Sequence, residues 1–217
     1  MTIDRQPHVD EPVPAGLLGA EKFVSGRICL DLVNTLCSRK GEDVDAFASF
    51  VDLDRWVRSA EYHFGIDLGW RSRPDHRDAM LREAVRLRAL AGELVRGTIA
   101  KGVPQEADLR KLNALLRSLP VSYQVMGDAA SPELARHALQ KADEWSTAIT
   151  LDLADLICNG DVSLLRECES ATCVRVFHDT TKNHKRRWCS AETCGSQAKA
   201  AAYYRRKTGK APPLPQP

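Results

Sequence analysis

Apolar residues in the middle of the chain recur at steps of three and four, the spacing of one face of an α-helix. One such run follows Pro74, and a second follows Pro104 and ends at Pro120, a residue that cannot continue a helix. The apolar positions are Met80, Leu81, Ala84, Leu87, Ala91, Leu94 and Val95 in the first run and Leu109, Leu112, Leu116 and Leu119 in the second. The pattern predicts two amphipathic helices.

A further helix is predicted to begin at the motif Ser131-Pro132-Glu133. Ser is a favoured N-cap residue and Pro is favoured at the first helical position. Apolar residues then follow at helical spacing, namely Leu134, Ala138, Trp145, Ile149, Leu153 and Leu156. We therefore predict one helix from this motif to Gly160.

Three other segments carry shorter signals. Residues 54–64 have helical spacing, and residues 121–126 alternate as a short strand does. The segment between positions 23 and 36 is ambiguous: residues 23–24 fit a strand, whereas residues 29–36 fit a helix better. We see no internal repeat.

These elements predict a mainly α protein with a helical N-terminal domain and a small C-terminal module, which its two pairs of cysteines mark as zinc-binding. We place the helical domain at residues 19–160 and the module, built of a knuckle, a short hairpin and a helix, at residues 161–210. Residues 1–18 are polar and are expected to be disordered, and the Pro-rich tail at 211–217 is expected to be extended. No signal peptide or membrane span is recognisable, so we expect a cytoplasmic protein.

The charge is divided unevenly along the chain. Residues 166–210 hold eleven Lys and Arg against four Asp and Glu, a formal +7, which leaves −5 for the rest of a chain whose total is +2. A basic module attached to a mildly acidic domain favours a polyanionic partner.

Four of the seven cysteines form two close pairs, Cys168-x4-Cys173 and Cys189-x4-Cys194, with fifteen residues between the pairs. Structural zinc takes four tetrahedral ligands, and two such pairs supply all four. We predict one structural Zn²⁺ per chain, bound by these cysteines. A module of this size has a small core, so the metal should be part of its fold.

The remaining metal-ligand candidates are less suited to this role. His178 and His184 lie between the pairs, but the cysteines already fill the coordination shell. Cys29, Cys37 and Cys158 are isolated and are expected to be buried apolar residues.

Basic residues flank the second cysteine pair on both sides. They occupy the loop before the pair and the predicted helix after it, at Lys182, Lys185, Arg186, Arg187, Lys199, Arg205 and Arg206. Such cations neutralise phosphates, so we predict nucleic-acid binding, with DNA preferred and RNA as an alternative. Phe177, Trp188, Tyr203 and Tyr204 could stack on bases, although Phe177 and Trp188 fit a small core over the zinc better.

Two stretches resemble known families. The C-terminal stretch resembles the CGNR zinc finger through Arg166-Glu-Cys168, Cys173, Phe177-His-Asp179, Arg186-Arg-Trp-Cys189 and Cys194-Gly195. The stretch Phe23-Val-Ser-Gly-Arg-Ile-Cys-Leu-Asp-Leu-Val-Asn-Thr35 resembles the opening of the ABATE domain. Together the resemblances cover nearly the whole chain. They imply a stress-linked bacterial transcription regulator with a helical N-terminal domain and a DNA-binding finger.

One departure concerns the motif that names the finger. Where the family has Cys-Gly-Asn-Arg, this chain has Cys194-Gly195-Ser196-Gln197, which keeps the ligand and the glycine. At the start of the helix, the neutral residue Gln197 therefore replaces the Arg of the family.

In the N-terminal domain, Asp31, Asn34 and Thr35 share one helical face among apolar neighbours. They could line a small-molecule effector pocket, or they could form a structural polar network, which is the interpretation we favour because buried polar groups need partners.

Several functions remain open at this point. The first is a transcription regulator, whose N-terminal domain would sense an effector or form a homodimer. An RNA-binding protein or a protein-interaction adaptor would carry the same zinc site. No catalytic motif is recognisable, so an enzyme is not expected.

Overall fold

The computed structural model describes residues 23–39, 42–70, 74–119, 121–126, 133–138 and 144–209, so the N-terminal residues 1–18 and the tail 211–217 lie outside the described residues. The helices are α1 (Ile28–Val33), α2 (Phe50–Phe64), α3 (Arg77–Lys101), α4 (Glu106–Ser118), α5 (Glu144–Cys158) and α6 (Ser196–Thr208). The strands are β1 (Leu36–Arg39), β2 (Glu42–Asp45), β3 (Val121–Met126), β4 (Glu133–Ala138), β5 (Leu165–Glu167) and β6 (Val176–His178). Consecutive strands pair into three antiparallel hairpins. None of the described helices combines the length and apolar character needed to cross a membrane.

Local signals define the ends of the long helices. α2 begins with a reciprocal capping box, in which the Ser49 side chain accepts from the Asp52 backbone and the Asp52 carboxylate accepts from the Ser49 backbone at 2.9 Å. This box starts the helix four residues before the predicted position 54. α2 and α3 both end at glycines in the left-handed conformation, Gly65 and Gly102.

The helix predicted from Ser131 is wrong in its first part. Residues 133–138 form β4, which pairs with β3 from Val121↔Ala138 to Met126↔Glu133, and α5 begins only at Glu144. The strand predicted at 121–126 is confirmed, and it explains the difference. A strand leaves backbone donors and acceptors unpaired unless a neighbouring segment is also extended.

The ambiguous segment near the N-terminus contains a helix that is shorter than predicted. α1 covers six residues, Asn34 caps its end, and Leu36 already belongs to β1. Residues 23–24 form no regular strand. Every residue of α1 is buried, because the helix contacts α3, α5 and β6.

One hydrophobic core joins helices α1 to α5. The predicted apolar stripe of α3 is confirmed, since Met80, Ala84, Leu87, Ala91, Leu94 and Val95 are all buried. Around α1 they meet buried side chains of α2 and α5, including Leu53, Trp56, Trp145, Ile149 and Leu153.

The C-terminal hairpin β5–β6 belongs to this same core. Leu165 and Val176 are almost fully buried in the main apolar cluster. The Asn34 amide acts as a strand partner for Val176: its Nδ2 donates to the Val176 carbonyl and its Oδ1 accepts from the Val176 N–H, both at 2.9 Å. The backbone N–H of His178 donates to the Ser25 carbonyl at 3.0 Å. The module is therefore built onto the helical domain rather than held by its metal alone.

We expect Asn34→Ala to destabilise the protein by about 2–4 kcal/mol, because the substitution leaves a buried N–H and a buried carbonyl of Val176 without partners. The free energy of unfolding in urea, measured with zinc present, tests this. Asn113→Ala is the control, because Asn113 is exposed on α4. Equal stability of the two variants would contradict the role given to the Asn34 amide.

Candidate metal centre and nucleic-acid interface

The four predicted ligands converge on one point. Their sulfur atoms all lie within 4.8 Å of one another, with 3.7 Å between the Sγ atoms of Cys173 and Cys189 and 3.6 Å between those of Cys189 and Cys194. A tetrahedral ion with Zn–S bonds of about 2.3 Å requires S···S distances of about 3.8 Å. A disulfide would require about 2.05 Å. The cluster therefore fits one structural Zn²⁺ bound by four cysteines.

The first cysteine pair is positioned by the end of the hairpin. Cys168 directly follows β5, and its N–H donates to the Arg175 carbonyl at 2.9 Å, which closes the loop between β5 and β6. Within this loop the Cys173 N–H donates to the Ser170 carbonyl at 3.0 Å. The resulting turn brings the sulfurs of Cys168 and Cys173 within 4.8 Å of each other.

The second pair is positioned by a tight helical turn. Residues Ala191–Gly195 form a π-helical turn that leads into α6, and the Ser190 hydroxyl caps this turn by accepting from the Thr193 N–H. Cys194 therefore lies two residues before the first residue of α6. The Cys189 N–H donates to the Cys168 sulfur at 3.4 Å, which joins the two pairs. The metal thus anchors the start of the last helix.

The cluster is charged and partly enclosed. The side chain of Phe177 is fully buried against Cys168 and Cys189, and Trp188 packs beside them, which agrees with the predicted small core. Burial lowers the pKa of Arg175, but the charges of Cys37, Cys189 and Cys173 outweigh it and raise that pKa above its usual value. A cation beside the thiolates offsets the net negative charge of a four-thiolate zinc site.

Hydrogen bonds between sulfurs shift the pKa values of Cys168, Cys173 and Cys189. Hydrogen bonds from Cys173 and Cys189 hold the pKa of the Cys168 thiol far below its usual range. The bond to Cys168 raises the pKa of Cys173 to about 11 and raises that of Cys189 further. Since zinc binds thiolates, metal binding must release the protons of these raised groups. Bound Zn²⁺ would cross-link the two pairs and leave no open position for catalysis.

The other metal-ligand candidates lie apart from this cluster. The rings of His178 and His184 contact the backbone carbonyls of Asp161 and Asp179. Of the isolated cysteines, Cys29 and Cys37 are buried as predicted. Cys158 is exposed, so that prediction is wrong: it is the last residue of α5, where the helix leaves the core.

The basic loop is organised by Asp179, which the sequence analysis did not single out as a functional residue. Its buried carboxylate accepts from the Thr181 N–H at 3.0 Å and from the Arg186 N–H at 2.8 Å. Burial raises the pKa of Asp179, but these bonds and that of the Thr181 hydroxyl outweigh it, so the net pKa is lowered. In the sequence, the signal that could have identified this residue is a single acidic residue at the start of a basic loop.

The predicted basic residues divide into three groups: Arg186 is structural, Arg187 is exposed but paired, and the rest are exposed without an acidic partner among the described residues. The Arg186 guanidinium donates to the carbonyls of Trp188 at 3.0 Å, Val24 at 2.6 Å and Cys189, and it lies 4.3 Å from the centre of the Phe177 ring. Arg186 therefore ties the finger to the N-terminal segment.

Arg187 is exposed but already paired. Its Nε and Nη2 atoms contact the Glu169 carboxylate at 2.7 and 2.6 Å, and its guanidinium lies 4.9 Å from the centre of the Trp188 ring. An exposed pair of this kind contributes little to stability, and a phosphate could replace the carboxylate.

The remaining predicted cations form the exposed group. They are Lys182 and Lys185 in the loop and Lys199, Arg205 and Arg206 on α6, and Lys207 extends the series. Among the described residues, no acidic side chain pairs with any of them.

The three residues of the predicted effector pocket all have intramolecular partners. The Asp31 Oδ1 atom accepts from the N–H groups of Val24 and Ser25, both at 3.1 Å. The Thr35 hydroxyl donates to the Leu32 carbonyl and accepts from Arg88. With the Asn34 pairing, these bonds fit the alternative of a structural polar network, and the effector pocket stays a prediction.

Cys189→Ser is expected to abolish stoichiometric zinc binding and to loosen the finger, because it removes a thiolate that lies next to two others. Metal content by mass spectrometry under native conditions and finger protection by hydrogen exchange measure both effects. Cys158→Ser is the control, since this cysteine is exposed and is not one of the four clustered sulfurs. One retained equivalent of zinc in the Cys189 variant would show that the ligand set is different.

Stability should also depend on the protonation of Asp31. Burial raises the pKa of this carboxyl to about 7, and its Oδ2 atom has no hydrogen-bond partner. Between about pH 4 and pH 7 the folded protein therefore holds a proton that the unfolded chain has lost, so the free energy of unfolding falls as the pH rises. Asp31→Asn cannot ionise, and its stability relative to the unsubstituted protein should increase from pH 5.5 to 8. Parallel stability curves for the two proteins over this range would contradict the prediction.

Family comparisons agree with this arrangement. Residues 165–207, which contain the cysteine cluster and α6, match the CGNR zinc finger. Residues 26–160 match the ABATE family, described as "Putative stress-induced transcription regulator". No curated protein gives a match. The chain thus belongs to the ABATE family and carries a CGNR zinc finger at its C-terminal end.

Proposed function

We propose that this protein is a cytoplasmic bacterial transcription regulator whose zinc finger binds duplex DNA. The observation that carries the proposal is the group of exposed cations on both sides of the metal centre. The loop contributes Lys182 and Lys185, and α6 contributes Lys199, Arg205 and Arg206. The proposal includes no catalysed reaction.

The electrostatics favour a polyanion as the partner. Six exposed cations without acidic partners among the described residues lie on a segment with a formal charge of +7. When such cations neutralise phosphates, condensed counterions are released from the nucleic acid, and this release favours binding. The zinc cluster supports this role mechanically, because it links the end of the loop at Cys189 to the start of α6 at Cys194.

The N-terminal domain would convey a signal to the finger. Contacts at Asn34, Ser25 and Val24 connect α1 and the segment before it to β6 and Arg186. A change at α1, caused by an effector or by formation of a homodimer, would therefore reach the finger directly. We propose that this domain has a sensing or dimerisation role.

The same surface would suit a second candidate function. RNA carries the same phosphate charge, so an RNA-binding protein is one alternative. The other is a protein-interaction adaptor, in which the zinc site would have a purely structural role. The test is selection from a random duplex pool and a random RNA pool, with and without a zinc chelator. Enrichment of duplex sequences that disappears with chelator supports the proposal, whereas preferential enrichment of RNA or of neither pool contradicts it.

Duplex affinity should depend strongly on salt. If about five phosphates are contacted, the logarithm of the binding constant should fall with the logarithm of salt concentration at a slope of roughly −4 to −5. Lys182→Ala with Lys185→Ala should make this slope shallower by about 2, because each lysine lost removes about one released counterion. Fluorescence anisotropy at several salt concentrations measures the slope.

A charge-matched double variant serves as the control for this measurement. Arg82→Ala with Arg117→Ala also removes two exposed cations, from α3 and α4. It should leave the slope nearly unchanged. The loop lysines are not the contact surface if both double variants shift the slope equally. Arg186 is unsuitable for this test because its substitution would disturb the finger itself.

A further inference from the structure

α6 has an inner and an outer side although none of its residues is buried. Its half-buried residues are Ala198, Ala201 and Ala202, which lie on one face and define the inner side. Arg205 lies four residues after Ala201 and three after Ala202, so it shares this inner side. Arg205 is thus directed differently from the other cations of the helix.

The outer side carries a stripe centred on Tyr203. Lys199 lies one turn before Tyr203, and Arg206 and Lys207 lie one turn after it. The Tyr203 side chain is 60% exposed, and Ala200 beside it leaves the backbone accessible. An exposed aromatic ring between cations combines a surface for bases with groups for phosphates.

The dimensions and charge of α6 fit a DNA groove. The helix has 13 residues and no acidic side chain, so it is about 20 Å long and uniformly basic. Its width of about 10–12 Å matches the major groove, which is about 12 Å wide. The start of the helix is held by Cys194, so the metal centre would set its angle of entry. An acidic protein surface would complement the charge but would not need an exposed aromatic side chain between the cations.

We propose that the outer side of α6 enters the major groove of duplex DNA, with Tyr203 against the base edges and Lys199 and Arg206 on the adjoining phosphates. This rests on the proposed function of DNA binding. An aromatic edge in the major groove contacts the 5-methyl group of thymine, which is the apolar feature exposed there. Tyr203 is then a specificity-determining residue, whereas Arg205 is not.

The test uses the zinc-loaded full chain and a duplex recovered from the random pool. Tyr203→Ala should weaken binding to this duplex about tenfold, the usual size of one lost base contact, and leave the affinity for a scrambled duplex and the salt slope unchanged. Tyr203→Phe should retain the affinity. Tyr62→Ala is the matched control, since this tyrosine on α2 is also 60% exposed.

Modified duplexes locate the contact. Replacing thymine by uracil at each position in turn removes one methyl group from the major groove. At one position or more, the replacement should weaken binding of the unsubstituted protein and have no further effect on Tyr203→Ala.

Three results would overturn the inference while leaving DNA binding intact. They are an unchanged affinity of Tyr203→Ala, an equal loss on selected and scrambled duplexes, and uracil effects that persist in Tyr203→Ala. A chain that binds no duplex would overturn the proposed function and this inference together. Zinc content and helix content of each variant show that the fold is retained, which is expected because Tyr203 is exposed on α6.

Discussion

Four thiolates that must lie about 3.8 Å apart around one ion constrain the segment from Cys168 to the start of α6. The first pair is formed by the loop of the β5–β6 hairpin, and the second by the π-helical turn before α6. Because Cys194 lies in the turn that leads into α6, the metal centre anchors the start of this helix. None of the residues of α6 is buried, so this anchor at one end contributes to its position.

The metal centre is in turn connected to the helical domain. Val176 lies in the main core, and the Asn34 amide pairs with both its backbone groups. On the other side of the finger, Arg186 joins the carbonyls of Val24 and Cys189. The finger and the helical domain therefore share hydrogen bonds and apolar burial. These contacts are the basis of the signalling role that we propose for the N-terminal domain.

The basic residues show why charge alone does not define an interface. Arg186 is the most enclosed of them and supports the finger from within, and Arg187 is occupied by Glu169. The lysines of the loop and α6 are exposed and have no acidic partner within the part of the chain that the structure describes. Long cationic side chains next to aromatic rings and carbonyls serve the fold, whereas those without such neighbours remain available for a partner.

The sequence by itself determined the helical domain, the strand at 121–126, the cysteine ligands and the location of the basic segment, because periodicity and spacing are local properties. It did not determine that residues 133–138 pair as a strand, since a favourable N-cap motif at Ser131 signals a helix whether or not a neighbouring strand needs a partner. Nor did it separate Arg186 from Lys185, which are adjacent in the chain. Only the tertiary structure decided which cation faces Phe177 and which faces solvent, because that depends on groups brought together from opposite ends of the protein.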